Sequence, residues 1–145
     1  LQTTLTKRFS RGFTVLANEA EHARERLQAA LLAEDMREEI FSKAVSDPDQ
    51  IPTFGREPGE YGNVRIYLDD RDDYGDLEDK PVADLKGYPT AGMEKFSRRV
   101  QIRRVLEDDP MEDAGDRPSR TYLYSVIVMK GEAEVYRLEW LEAGI

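Results

Sequence analysis

One stretch of sequence decides the fold: residues 13–46, FTVLANEAEHARERLQAALLAEDMREEIFSKAVS. Its apolar side chains recur mostly every three or four positions, at Phe13, Leu16, Ala20, Ala23, Leu27, Ala30, Leu31, Met36, Ile40, Phe41 and Ala44. This spacing is typical of an amphipathic α-helix, and the intervening Glu, Arg, Gln and Ala favour helix formation. The Ser46-Asp47-Pro48 sequence predicts its end, and Gly12 separates it from an N-terminal extension, residues 1–12.

The predicted helix is long for a single domain. At 1.5 Å per residue it measures about 50 Å, which exceeds the diameter of a compact domain of this size. Part of the helix is therefore expected to project from the domain or to pack on another chain.

The rest of the chain predicts loops and then antiparallel strands. Residues 47–95 are rich in Pro and Gly, and within them only residues 63–68 (NVRIYL) predict a short strand. Residues 96–106 alternate, with Val100 and Ile102 on one face, and residues 120–130 and 132–141 flank Gly131 as a hairpin. We predict a single α+β domain in which a long N-terminal helix packs on a small antiparallel sheet formed within residues 96–145.

Composition excludes several classes of function. The net charge of −9 argues against nucleic acid as a partner, because the phosphate backbone would repel the chain. The sequence has no cysteine, which excludes disulfides, a thiol nucleophile and a thiolate zinc site. No run of about 18 apolar residues is present, so none of the given sequence predicts a membrane span.

The acidic segment 69–79 is the candidate metal site. Its possible ligands are Asp69, Asp70, Asp72, Asp73 and Asp76. Calcium prefers six to eight oxygen ligands of this kind, but the EF-hand pattern fails at Tyr74 and Pro81. A solvated acidic loop is the favoured interpretation, and calcium bound in another arrangement is the alternative. We expect no other cofactor.

The sequence predicts no catalytic site. His22 is the only histidine, and its helical neighbours place it on a polar, exposed side. No serine lies in a nucleophile-elbow context, so we expect no enzymatic activity. Basic residues in the first strand are expected to pair with acids across strands or to face water: Arg98, Arg99, Arg103 and Arg104. Aromatic residues of the last strands are expected to pack in the core or across strands: Tyr122, Tyr124, Tyr136 and Trp140.

Several segments together resemble pilin-like proteins. These are residues 32–40 (LAEDMREEI), 52–60 (PTFGREPGE), 68–74 (LDDRDDY) and 96–102 (FSRRVQI), followed by the closing hairpin at 124–141. Their order and spacing are similar to those of a bacterial group of prepilin-type proteins, from about Ala20 to the C-terminus. The resemblance implies a pilin-like fold and a minor pseudopilin of a type II secretion or type IV pilus-like system.

This resemblance implies a structural role. The chain would be a filament subunit held in the bacterial inner membrane by an apolar helix preceding Leu1, with its domain in the periplasm and other pilin-like or pseudopilin subunits as partners. We expect one helix face to carry assembly: Leu16, Ala20, Ala23, Leu27 and Leu31. The alternatives are a calcium-dependent binding module that uses the loop 69–79, an enzyme, and a coiled-coil adaptor. The enzyme is disfavoured by the missing chemistry, and the adaptor leaves the β-rich half unexplained.

Overall fold

A computed structural model describes residues 2–43 and 64–143, with residues 2–13 described as helical backbone. Helix α1 comprises Gln2–Phe41. It is followed by four strands: β1 Glu78–Asp79, β2 Phe96–Val105, β3 Thr121–Lys130 and β4 Ala133–Ala143. The strands form one antiparallel sheet in the order β1-β2-β3-β4. The α+β class and the long helix packed on an antiparallel sheet are therefore as predicted from the sequence.

Helix α1 differs from its predicted bounds at both ends. It begins at Gln2 rather than at residue 13, so the helix continues through Gly12 despite the low helix propensity of glycine. It ends at Phe41 rather than at residue 46. The Ser42 hydroxyl donates to the Glu39 carbonyl, and the Lys43 N–H donates to the Ile40 carbonyl, which closes the last turn. The Ser46-Asp47-Pro48 stop signal lies outside the described residues.

The β3–β4 hairpin is the central feature of the sheet. Gly131 and Glu132 connect the strands, and Gly131 has a φ of 61°, as a glycine at the first central position of a two-residue hairpin turn requires. Strand β3 pairs with β2 along its full length, from Thr121↔Val105 to Lys130↔Phe96. Residues 123–128 of β3 are all buried, which makes this strand the centre of the domain.

The helix packs on the sheet with its C-terminal half. Its buried apolar residues, which we call the sheet-facing stripe, are Ala29, Leu32, Ala33, Met36 and Ile40. They meet Phe96 and Val100 of β2 and Val126 and Val128 of β3 in one hydrophobic core. The single apolar stripe predicted from the sequence is wrong in this respect. Within the predicted series, Leu16, Ala20, Ala23, Leu27 and Leu31 are exposed, whereas Met36 and Ile40 belong to the sheet-facing stripe, whose other members lie outside the series.

The loop-rich segment also departs from the prediction. The strand expected at residues 63–68 is replaced, within the described residues, by a 3₁₀ turn, Arg65–Tyr67. In this turn the Arg65 side chain is buried and Ile66 is exposed, the reverse of what an apolar strand face requires. A two-residue strand, β1, lies instead at the end of the acidic segment and pairs with Arg98 and Arg99 of β2.

Candidate functional site

Helix α1 carries a second apolar stripe. The residues expected to carry assembly, which we call the exposed stripe, are all exposed: Leu16, Ala20, Ala23, Leu27 and Leu31. Leu16 is 67% exposed, and Leu27 and Leu31 are each 62% exposed. With 3.6 residues per turn, the centres of the exposed and sheet-facing stripes lie about 170° apart around the helix. The exposed stripe therefore points away from the domain's own core.

Glu25 marks the point where the helix leaves the sheet. Its carboxylate accepts hydrogen bonds from Lys130 Nζ at 2.9 and 3.1 Å and lies 3.7 Å from Lys95 Nζ. The hydrogen bond from Lys130 lowers the pKa of Glu25. Among residues 14–24 every side chain is exposed except the half-buried Glu21, so this part of the helix projects past the sheet. No helix among the described residues is both long and apolar enough to cross a bilayer.

A buried cluster of charges joins the helix to the sheet and to the Arg65 turn. We call it the arginine clamp, and it consists of Arg65, Arg98, Asp79 and Glu39. The Asp79 carboxylate accepts from Arg65 Nη1 at 3.0 Å and from Arg98 Nε at 2.8 Å. Arg65 Nε also donates to Glu39 of the helix at 2.8 Å. Two buried guanidinium groups are thus balanced by two carboxylates, as buried charges require.

Backbone carbonyls complete the clamp. Both arginines donate to the Ala83 carbonyl, Arg65 at 2.8 Å and Arg98 at 3.1 Å. Arg98 Nη1 also donates to the Leu32 carbonyl of the helix at 3.1 Å. Burial opposes the charge on Arg65, but the hydrogen bond and the charge of Glu39 outweigh it, and the pKa of Arg65 is raised. The clamp therefore joins the helix, the Arg65 turn and the sheet through buried hydrogen bonds of the two arginines.

The predicted metal ligands are partly brought together. We call residues 69–76 the aspartate turn. Asp69, Asp70 and Asp73 each offer one carboxylate oxygen, and these oxygens lie within 4.8 Å of one another. Asp70 Oδ1 accepts from the Asp73 N–H at 3.2 Å, and Asp73 Oδ2 accepts from the N–H groups of Asp69 and Asp70 at 3.1 and 3.2 Å. Asp76 is exposed, with a φ of 60°, and lies outside this group, while the half-buried Asp72 is near Asp70.

Burial dominates the electrostatics of the aspartate turn. It raises the pKa of Asp70 to about 9, with further contributions from Asp72 and Asp73. Burial also raises the pKa of Asp73. Within the turn, Arg71 contacts other groups: its Nη1 donates to Glu142 Oε1 of β4 at 2.6 Å, and its Nε donates to the Lys43 carbonyl at 3.2 Å.

A pH dependence follows from these carboxyl groups. Asp70 has a pKa of about 9 in the folded chain against 3.8 as its ordinary value, so the folded state holds more protons between these limits. We expect the free energy of unfolding to fall as pH rises from 5 to about 9. Urea denaturation across this range measures it. The Asp70→Asn variant should show a shallower fall, with the remainder due to Asp73, and an unchanged slope would contradict the assignment.

Other predicted residues take structural positions. His22 is exposed on the helix, as expected. Tyr124 stacks on Trp140 with ring centroids 5.3 Å apart, and Tyr122 and Tyr136 pack against the core, which confirms the expected packing of the strand aromatics. Of the four arginines of β2, Arg98 is buried in the clamp, Arg99 is exposed, Arg103 pairs with Asp113 at 2.9 Å, and Arg104 donates to the Gly115 and Arg117 carbonyls.

The partners of Arg98 in the clamp were missed by the sequence analysis. Arg65, Asp79 and Glu39 are far apart in the chain, and Arg65 was placed in a strand. A usable signal was the position of Arg98, which has the same parity along β2 as the core residues Val100 and Ile102. An arginine facing the core needs a buried carboxylate, and the nearest acidic segment supplies it.

Comparison with known proteins adds no relative to this description. No protein-family model, no curated protein and no solved structure matches the chain.

Proposed function

We propose that this chain is a structural subunit, similar to a minor pseudopilin, that assembles into a type II secretion pseudopilus or a type IV pilus-like filament. In this proposal helix α1 packs among the helices of neighbouring subunits, and the sheet lies on the outside of the filament. Its partners are other pilin-like subunits, and its domain faces the periplasm.

The exposed stripe is the observation that carries the proposal. Three leucines that are each more than 60% exposed lie along a helix that extends past its own sheet. Apolar surface of this kind is typical of an interaction site. The sheet-facing stripe already provides the contacts that a helix needs within its own domain, so the opposite stripe is available for another chain.

The composition of the exposed stripe favours other helices as the occupant. Ala20 and Ala23 lie between larger leucines, and small residues let helix backbones approach closely. Beyond Leu31 the same row of positions becomes acidic, at Glu34, whereas Arg24 lies beside the stripe. Arg24 and Glu34 are about 15 Å apart along the helix axis. Parallel copies shifted by this amount would place Arg24 of one copy near Glu34 of the next.

Cysteine cross-linking tests the packing, since the chain has no cysteine of its own. In the full-length gene product expressed in its native host, we expect the double variant Leu16→Cys/Leu27→Cys to form a ladder of covalent multimers with a short bismaleimide. These positions lie on the exposed stripe about 16 Å apart.

The matched control is Leu16→Cys/Arg26→Cys. Arg26 is also exposed but lies about 100° around the helix from the centre of the exposed stripe. We expect this variant to give few multimers. Equal ladders from both variants would show that the stripe does not direct assembly.

The gene itself tests the membrane part of the proposal. We expect the segment encoded before Leu1 to contain a prepilin-type leader and about 20 consecutive apolar residues, which is the length that spans a bilayer as a helix. A gene with neither feature would overturn the filament proposal.

A further inference from the structure

The last strand leaves one side of the sheet open. Strand β4 pairs with β3 on one side, and among the described residues no further strand lies on its other side. None of its eleven residues is buried, whereas residues 123–128 of β3 all are. We propose that two copies of this chain pair their β4 strands antiparallel about a two-fold axis, with Leu138 of one copy opposite Leu138 of the other.

Strand β4 lacks most of the features that protect a free edge. Exposed edges are commonly blunted by a short strand, by proline or lysine, or by a bulge, because their unpaired N–H and C=O groups otherwise pair with another chain. Strand β4 extends from Ala133 to Ala143 and contains neither proline nor lysine. The register shift in its pairing with β3 lies at the hairpin end, next to Val128 and Met129, so residues 136–143 form a regular edge. Every second residue of this edge directs its N–H and C=O away from β3, where a second chain can bind them.

The side chains of β4 are complementary to themselves in this register. Antiparallel pairing centred on Leu138 places Arg137 of each copy opposite Glu139 of the other, so opposite charges meet twice. It also places Tyr136 opposite Trp140, and aromatic pairs of this kind stabilise neighbouring strands.

The two charged side chains are accessible to a second copy. The Arg137 side chain is 40% exposed and that of Glu139 is 37% exposed, and the nitrogen–oxygen distance between them within one chain is 3.8 Å. Arg137 donates to Glu134 Oε1 through Nε and Nη2, and Ser125 donates to Glu139 Oε2. Arg137 Nη1 and Glu139 Oε1 make none of these hydrogen bonds, so each can pair across the edge without breaking them.

Neighbouring registers lose this complementarity. Centred on Glu139, the pairing would place two Glu139 carboxylates opposite each other and Arg137 opposite Leu141. Centred on Arg137, it would place two guanidinium groups opposite each other. Like charges directly opposite one another destabilise a strand pair, so the charges favour the register centred on Leu138.

The symmetry of the pair determines how the two domains are arranged. A two-fold axis perpendicular to the sheet joins the four strands of each copy into one sheet of eight strands. Both copies of α1 then lie on the same face and run in opposite directions. This arrangement differs from the parallel copies proposed for a filament, so a chain can occupy one or the other. The dimer is thus a separate, unassembled form of the domain, and the inference does not rest on the filament function.

Analytical ultracentrifugation of the chain, from micromolar to millimolar concentration, tests the pairing. We expect a monomer–dimer equilibrium. Arg137→Glu and Glu139→Arg should each weaken the dimer about tenfold, because each variant places like charges opposite each other at both symmetry-related positions. Both positions are exposed, and thermal unfolding of each variant verifies that it folds. A monomer throughout the concentration range would overturn the proposal, as would parent-like dimerisation of both variants.

A mixture of the two variants tests the register itself. In a mixed pair the acidic side chains of the Arg137→Glu chain face the basic side chains of the Glu139→Arg chain, so opposite charges meet again. We expect the mixture to form heterodimers with about the affinity of the parent chain, although each variant alone dimerises weakly. The matched control is Arg99→Glu, the same charge reversal at an exposed position of β2, away from the β4 edge, and it should dimerise like the parent. A mixture as weak as its components, or an equal loss in Arg99→Glu, would refute this interface.

Discussion

The Asp79→Asn variant is expected to lose about 3–5 kcal/mol of its free energy of unfolding. Asp79 is 3% exposed, and within residues 14–43 and 64–143 it is the one carboxylate that contacts both arginines of the clamp. An asparagine keeps the shape of the side chain but removes the negative charge, so Arg65 and Arg98 would remain buried with Glu39 as the main counter-charge. Breaking a buried ion pair from one side is costly because the other charge stays desolvated.

Equilibrium urea denaturation of the variant and of the parent chain measures this loss. The matched control is Glu78→Gln, which makes the same charge change at the exposed neighbouring residue of β1. We expect the control to stay within about 0.5 kcal/mol of the parent chain. Similar losses in both variants would mean that the clamp contributes no more than a surface charge.

The Met36→Ala variant is expected to lose about 2–5 kcal/mol. Met36 is completely buried in the core between the helix and the sheet, and its truncation leaves a cavity that the packed neighbours fill only in part. Alanine preserves helix propensity, so the loss reports packing rather than helix formation.

Leu31→Ala is the control on the opposite side of the same helix. Leu31 is 62% exposed, and we expect its truncation to change the free energy of unfolding of the isolated domain by about 0.5 kcal/mol or less. Urea denaturation of both variants decides the matter. A large loss in Leu31→Ala would contradict the assignment of the exposed stripe to contacts outside the domain.

The elements that local sequence patterns define were predictable. The helix follows from its apolar spacing, and β3 and β4 follow from Tyr, Val and Ile flanking Gly131. Boundaries were less predictable, because the helix continues through Gly12 and ends with a turn at Ser42 rather than at a proline. The prediction of a single apolar stripe was wrong because successive steps of three or four residues can move around the helix. Only packing on the sheet distinguishes the exposed Leu31 from the buried Leu32.

The sites depend on contacts that no local pattern records. Arg65 pairs with Glu39 and Asp79, which are distant in the sequence, and it lies in a 3₁₀ turn where a strand was predicted. The acidic segment was recognisable as a candidate, but its spacing did not show that Asp70 is buried or that Asp76 lies outside the oxygen group. Burial depends on the tertiary fold, which no local pattern records.

Trp140 gives this chain a built-in optical reporter. It is the only tryptophan, and its ring meets Phe41 at the helix end in an edge contact at 5.4 Å while stacking on Tyr124. Arg37 lies 5.6 Å from the same ring, and Arg71 of the aspartate turn lies 5.2 Å from the Phe41 ring. Its fluorescence therefore senses the last turn of the helix, and undocking of that turn would change the emission even while β3 and β4 stay paired.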